Sequence, residues 1–434
     1  ERQGDLDFIQ NPTPDNLFQI DKNKPIRDQI DEAISDFEKK IAIEKNKGKS
    51  VGLEKEIESI ANWDPYDQNE HSLFFDREWM FGLDHGFDIV IGNPPYGANY
   101  SDSDKTHFQN NYDSTKSIRG IQKGSLDTFS LFIENGFGLL NSPGNLDFIV
   151  PLTITSGDSM TALHNILFAN CETIKISSYC DRPLQIFKNA HKKISIISLH
   201  KTGTICKNLL TTKMYRWHKG IALAALIDNI RFVNSIDYRL YGRLPKVGLV
   251  IEIGILQKLF ALQNVPIGKL KERESETAIY YRSSGGMYFN IITNCSTGST
   301  QEKMIYLKQD IFNVIGAILS SNLFFWYQQV YSDGLHLKSH EIDSFTIPVE
   351  KLTQKTTSAI ENIYKEYLED IERNTIIHTT ESYVNVDSFK EYKIRRSKHL
   401  IDKIDDAICP LYGFTKEETD FIKNYEIEFR VVEE

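Results

Sequence analysis

The residues best suited to chemistry are Asn93, Pro94, Pro95 and Tyr96, which follow the run Phe-Asp-Ile-Val-Ile-Gly at 87–92. Two consecutive prolines fix φ and offer carbonyls without N–H groups, and Pro95 pushes Pro94 out of the α region. The backbone there is stiff and extended. Asn93 adds a side-chain carbonyl acceptor, and the Pro94 carbonyl is a second. Two acceptors at fixed spacing suit an exocyclic amine: they take both N–H hydrogens and draw the nitrogen lone pair out of conjugation with its ring. Such a site favours a tetrahedral nitrogen over a planar one. Tyr96 offers a flat face on which a base can stack. The amine loses its proton after transfer, so attack needs no general base. Asn-Pro and Pro-Pro also mark turns, and a plain strand-end turn is the competing reading.

The motif needs a strand before it. Residues 87–91 show almost no alternation, which predicts a strand buried on both faces. In open α/β sheets ligands sit beyond the carboxyl ends of the strands, where residues 92–96 would lie. Residues 97–126 are polar and read as a long mobile loop. A helical stripe follows from Asp127 through Phe129, Phe132, Ile133, Phe137 and Leu140, closed by Asn141 and Pro143-Gly144. Strands are expected at 146–150, 173–178 and 194–199, with a helix at 161–168. Strand, crossover helix, strand is the α/β grammar, with parallel strands as the default. The pattern changes near 201–210. Residues 202–300 read as β-rich or mixed, followed by helices at 311–327 and 360–371, one closed near Gly413, and one capped by Thr415 with Glu418 three residues on. Ahead of the motif, helices are expected over 26–41 and 53–60.

Composition frames this. The 434 residues suit about two or three domains, and 40% hydrophobic with 25% charged residues is ordinary for a globular chain. The five cysteines are widely spaced with no CxxC pair. That argues against a disulfide framework or a cysteine-rich zinc site and suits a reducing, cytoplasmic setting. The first residues do not read as a signal peptide, and 311–330 carries too many polar residues for a membrane span. A net charge of −10 disfavours a general nucleic-acid coat protein without excluding a DNA enzyme, whose footprint depends on local charge.

Asn-Pro-Pro-Tyr after a buried strand resembles the catalytic motif of amino-methyltransferases that use S-adenosylmethionine. The wider stretch FFDREWMFGLDHGFDIVIGNPPYG is similar to the adenine-N6 DNA methyltransferases of fused single-chain restriction–modification enzymes (type IIG), in their C-terminal portion. SLDTFSLFIENGFGLL resembles the helix after the catalytic loop, which puts Asp127 and Phe129 near the site. GNLDFIVP resembles the next strand. LQIFKNAHKKISIISLHK resembles the hairpin where that family sets an aromatic beside the flipped base, and Phe187 is the matching residue. YYRSSGGMYFNI, YSDGLHLKSHEIDSF and the chain end resemble the family's target-recognition region. The likeness spans most of residues 62–434. It implies an α/β fold: a partial Rossmann-like S-adenosylmethionine methyltransferase domain (the catalytic half) followed by a mixed α+β target-recognition domain. The expected division is a helical segment at 1–60, the catalytic half at 61–205 and the recognition domain at 206–434. Double-stranded DNA is the implied partner, with no membrane.

The family's cofactor loop, FxGxG, does not occur in residues 1–92, and NGFGLL sits within a helical stripe. The chain therefore reads as the C-terminal part of a longer enzyme, completed by an upstream region that binds the cofactor and can carry a nuclease, and inactive alone. Mg2+ is expected only if such a nuclease exists; Pro14-Asp15 lacks a well-placed acid-x-lysine to make one here. The alternatives are a DNA-binding specificity module, a methyltransferase acting on protein glutamine or RNA bases, and a structural role in a complex.

The remaining candidates each have a plainer reading. Asp127 is also a natural N-cap. Lys105, His107, Lys116, Arg119 and Lys123 belong either to a solvated loop or to a segment that clasps DNA and orders on binding. Arg395, Arg396, Lys398 and His399 make a basic run, either solvated or touching phosphates. Ser283 to Gly286, followed by Tyr288, is a candidate base-reading loop, with Arg282 as the candidate for guanine. His336 and His340 flank Lys338 and suit loop or phosphate contacts; no third metal ligand stands near them.

Overall fold

The computed structural model describes residues 81–97, 99–187, 191–217, 223–284, 288–379 and 388–431, with Ser35, Phe75 and Arg77 as isolated residues before them. The helices expected over 26–41 and 53–60, and Pro14-Asp15, lie outside the described residues. By contact the chain divides into two units, Glu1–Phe87 and Asp88–Glu434. The second contains the elements that position the candidate site.

A mixed sheet of six strands is its framework. The strands are β1 (Phe87–Gly92), β2 (Leu140–Pro151), β3 (Cys171–Tyr179), β4 (Ile194–Lys201), β5 (Asn208–Tyr215) and β6 (Val233–Asn234), in the order β1-β2-β4-β3-β5-β6. β4 runs antiparallel to both β2 and β3, so β2 and β3 are parallel to each other, and β5 is parallel to β3. The parallel default thus holds for β2, β3 and β5, while β4 is a reversed strand inserted between β2 and β3. It enters there because β3 and β4 are joined as a hairpin. β5 and β6 lie beyond residue 205 yet extend this same sheet.

Alternation along these strands builds the core. The register sets Leu146 opposite Leu199 and Phe148 opposite Ile197, with Ile174 and Ile176 opposite the same two residues from the other side. All are buried and pack with Phe129, Ile133 and Phe137 of α2 (Thr128–Leu139) and Leu163 and Leu167 of α3 (Thr161–Asn170). Each such side chain contributes about 1.5–3 kcal/mol. Gly136 permits the close approach of α2: a Cβ there would stand 3.0 Å from Leu146 and 3.2 Å from Phe148.

β1 corrects one expectation. The strand forms, but it is not buried on both faces: Ile89 is 64% and Ile91 80% exposed. Val90 turns inward to the core. β1 has β2 as its one neighbouring strand among the described residues. Ile89 and Ile91 share the face opposite Val90, and a run of consecutive apolar residues does not reveal that only one face is covered.

Residues 97–126 correct another. They contain α1 (Asp102–Asn111), a 3-10 turn at Asp113–Thr115 and a bridge between Ile118 and Gln122. α1 buries no residue, so it has no apolar stripe to read, but Ser101 and Asp104 cap it reciprocally: the Asp104 N–H donates to Ser101 Oγ at 3.1 Å and the Ser101 N–H to Asp104 Oδ2 at 3.1 Å.

The C-terminal residues form a larger core. A four-stranded sheet (Lys271–Glu272, Ala278–Arg282, Ile292–Thr293, Glu302–Leu307) packs with helices that include α4 (Val250–Leu259), α5 (Phe312–Ser320), α6 (Asn322–Tyr331), α7 (Gln354–Arg373), α8 (Lys398–Tyr412) and α9 (Lys416–Asn424). The single helix expected over 311–327 is two, α5 and α6. Ser321 is extended and its hydroxyl accepts the Phe324 N–H at 3.1 Å, starting a new helix. α8 ends at Gly413, whose φ of +75° favours glycine, and Thr415 caps α9 with Glu418 as expected. No helix among the described residues is long and apolar enough to cross a membrane.

Candidate active site at the carboxyl end of the first strand

The chain leaves β1 at Gly92 and turns through Asn93, Pro94, Pro95 and Tyr96. Pro94 is buried, Asn93 and Pro95 are exposed, and Tyr96 is half-buried against the sheet core. The Tyr96 hydroxyl donates to Asn93 Oδ1 at 2.9 Å and lies 3.0 Å from the carbonyl of Ile149 on β2. One proton serves two acceptors, so the phenol is held at both. Burial pushes its pKa up and keeps it neutral. Strand β2 thereby fixes the ring, and the ring orients the asparagine amide. The corner is an exposed amide beside a rigid proline backbone and an anchored aromatic.

Asp127 and Phe129 stand at the start of α2. Asp127 occupies the N-cap position, but its side chain makes no capping bond. The capping reading is thus not realised, and its carboxylate has no partner among the described contacts. Phe129 is 2% exposed and belongs to the core. Thr128 accepts a hydrogen bond from the hydroxyl of Tyr100 at 3.0 Å, tying the chain after the motif to the helix start. Phe187 lies between β3 and β4 and is 41% exposed.

Two ties join the neighbourhood of β2 and β4 to the C-terminal core. Lys193 donates to the carbonyl of Asp333 at 2.5 Å, while the Leu152 N–H donates to the carbonyl of Lys193 at 3.0 Å. Arg243 pairs with Asp158 at 2.7 Å, and Lys123 reaches the same carboxylate at 3.3 Å. Burial alone would raise Asp158, but Arg243, His340 and Lys123 hold it below its ordinary value. Neither Asp158 nor Arg243 stood out in the sequence. Their contact spans 85 residues and no local spacing announces it.

The other candidates are dispersed. Lys105 pairs with Asp102 at 3.0 Å and Lys116 with Asp113 at 2.5 Å. Arg119 is exposed in the turn between Ile118 and Gln122. Nε of Arg282 is buried without an acceptor, and Gly285 and Gly286 beyond it lie outside the described residues. His336 binds Asp333 at 2.8 Å, whereas His340 pairs with Glu341 at 2.7 Å and meets Arg243. The two histidines face separate partners, and no group of metal-ligating side chains occurs among the described residues. Lys338 precedes the helix Ser339–Ser344. Arg395 and Arg396 lie in a 3-10 turn; Lys398 is engaged internally, paired with Asp402 and donating to the Lys423 carbonyl at 3.0 Å.

The described residues do not fit S-adenosylmethionine. Beside the corner, the outer edge of β1 carries the exposed Ile89 and Ile91, and no glycine-rich loop runs from a strand into a helix there. They supply the acceptor side alone: a place to orient an amine and to stack its ring.

Comparison with known proteins places the corner within a likeness to restriction-modification methylases. Residues 13–187 match the family model described as Eco57I restriction-modification methylase. A protein of Methanocaldococcus jannaschii named "Putative type II restriction enzyme and methyltransferase" is 25% identical over 182 residues, which is 41% of this chain and 14% of that protein's length. Among solved structures, the type IIL restriction-modification enzyme MmeI in complex with DNA aligns with 79% of this chain and 57% of its own, at 12% identity and a TM-score of 0.42. The type ISP enzyme LlaBIII bound to DNA aligns with 83% and 39%, at 10% identity and a TM-score of 0.33. Both scores are too low to carry an inference. The Asn93–Tyr96 corner thus lies inside a stretch that matches a restriction-modification methylase.

Proposed function

We propose that the corner at 93–96 is the target-base pocket of a site-specific adenine-N6 DNA methyltransferase of the fused restriction–modification type. The observation that carries this is the Tyr96 ring, anchored at Asn93 Oδ1 and at the Ile149 carbonyl beside an exposed amide. Asn93 and the Pro94 carbonyl accept the two amine hydrogens of the target base, and Tyr96 stacks on its ring. Phe187 makes a second face. The amine is out of reach inside a stacked duplex, so the adenine is flipped out. S-adenosylmethionine is the methyl donor. Asp127, with its unengaged carboxylate, supports the site.

The same reading makes 61–205, with β5 and β6 completing its sheet, the catalytic half and the remainder of 206–434 the target-recognition domain on double-stranded DNA, in the cytoplasm. Lys105, Lys116, Arg119, Lys123, Arg282, His336, Lys338, Arg395, Arg396 and Lys398 are its DNA-contact candidates. Mg2+ enters only with an upstream nuclease region. A second reading, a DNA-binding specificity module without activity of its own, is favoured by the missing FxGxG loop in residues 1–92.

Titration calorimetry with S-adenosylmethionine and with duplex DNA separates the two. DNA binding without binding of S-adenosylmethionine makes the chain a recognition and base-pocket portion that depends on a further segment. Binding of both makes it a candidate stand-alone enzyme, and an adenine methylation assay on the chain then decides.

A further inference from the structure

We propose that the cleft between α3 and residues 236–244 binds a ribonucleoside monophosphate, with Arg239 on its phosphate and His164 and Asp237 on its ribose hydroxyls. The cleft measures about 410 Å³ and shares no residue with the corner at 93–96. Small-molecule sites span roughly 300–1,000 Å³.

Its floor is one face of α3. His164 is 6% exposed, and its Nε2 lies 2.7 Å from the carbonyl of Ile154. A carbonyl only accepts, so Nε2 carries the proton and Nδ1 is a bare acceptor. Burial, with Arg239 and Arg243 nearby, drives the ring down to about 4 and keeps it neutral. Nδ1 has no hydrogen-bond partner among the described residues, although the ring lines the cleft. An acceptor on a nearly buried ring that opens onto a cleft is available to a donor from a ligand. Beside it, Asn165 spends its amide N–H on Gln122 at 2.8 Å, which leaves its carbonyl as a further acceptor.

The opposite wall supplies the cation. The guanidinium of Arg239 lies 3.9 Å over the ring of Phe168, and its Nε donates to the Ile236 carbonyl at 3.3 Å. Stacking and that one bond fix the plane and leave the two terminal amino groups free. Such a fork suits a phosphate. Asp237 is exposed in the same cleft without a salt-bridge partner among the described residues and is free to accept from ligand hydroxyls. Tyr241, 51% exposed at the same wall, offers a face for a base. Inorganic phosphate leaves His164 unmet, and a deoxyribose loses one of the two hydroxyl donors. A free ribonucleotide satisfies all three groups; the 5′-phosphorylated end of an RNA shares its chemistry.

Titration calorimetry of the 434-residue chain tests this with AMP, dAMP, inorganic phosphate and a 5′-phosphorylated RNA oligonucleotide. The expected result is one AMP per chain with a Kd between about 1 µM and 1 mM. Arg239→Ala should weaken it at least tenfold, on the order of 1.4 kcal/mol, with an unchanged melting temperature because the side chain is exposed. AMP should bind more tightly than dAMP or phosphate, and Asn93→Ala should leave it unaltered. Four results would overturn the proposal: no AMP binding at millimolar concentration, equal affinity for phosphate, binding that survives Arg239→Ala but not Asn93→Ala, or a clear preference for the RNA end over AMP.

Discussion

The hydroxyl of Tyr96 stands 2.9 Å from Oδ1 of Asn93 and 3.0 Å from the carbonyl of Ile149. Its single proton can pass from the first acceptor to the second without loss of a hydrogen bond. Asn93 Oδ1 therefore accepts from Tyr96 and can give up that bond at no net loss, as the proposed amine acceptor requires. Asn93→Ala removes that acceptor. The expected loss in kcat is at least about 100-fold, the scale of a preorganised transition-state contact. Stability should change by less than about 0.5 kcal/mol, since the side chain is exposed. Single-turnover methylation and denaturant melts measure the two effects.

Tyr96 separates ring from hydroxyl. Tyr96→Phe keeps the stacking face and loses the anchor, so base affinity should persist while kcat falls modestly, by about tenfold or less. Tyr96→Ala removes the face and should cost about 1–3 kcal/mol in binding of the flipped base. Fluorescence of 2-aminopurine at the target position, titrated with each variant, distinguishes them.

A buried ion pair joins the sheet to the C-terminal core. Arg216 follows β5 and Glu426 follows α9; their side chains are 1% and 5% exposed and meet at 2.8 Å. Burial opposes the charge on Arg216, but Glu426 beside it holds it protonated. Glu426→Ala leaves a buried guanidinium without its counter-charge and should cost about 3–5 kcal/mol. Urea unfolding of the variant against the parent chain gives the value.

His164 predicts an acid limb of stability. Its folded pKa is depressed from 6.5 to about 4, so the unfolded chain binds the extra proton between those values. The contribution is complete above about pH 6.5 and is lost as the pH falls toward 4, by about 3 kcal/mol at most. His164→Gln should flatten that limb when unfolding free energy is followed from pH 7.5 to 4.5.

Much of this was legible in the sequence, and the exceptions have physical causes. The strand before Asn93, the stripe of α2 and the Thr415–Glu418 cap carry their signals within a few residues, so spacing suffices. β1 misled because a strand covered on one face and one covered on both can share the same apolar run; exposure of Ile89 and Ile91 depends on what packs against their face, not on their own types. α1 hid because it buries nothing, leaving only the Ser101–Asp104 cap as a clue. The break at Ser321 lies inside a continuous apolar segment, where a single serine is easily taken for an interior residue. For the site, the motif itself could be read locally. The Ile149 carbonyl that anchors Tyr96, and the Arg243–Asp158 tie, could not, because they exist only once β2 and residues 236–244 have folded into place.

Asn93 is the residue proposed to receive the amino group of adenine. The most direct measurement expresses the complete open reading frame that encodes these residues in a host devoid of adenine methylation and quantifies N6-methyladenine in its DNA by mass spectrometry. N6-methyladenine at a defined sequence, abolished by Asn93→Ala, is the predicted result. Methylation that persists undiminished in Asn93→Ala, or a methyl group found on cytosine or on protein instead, would contradict it.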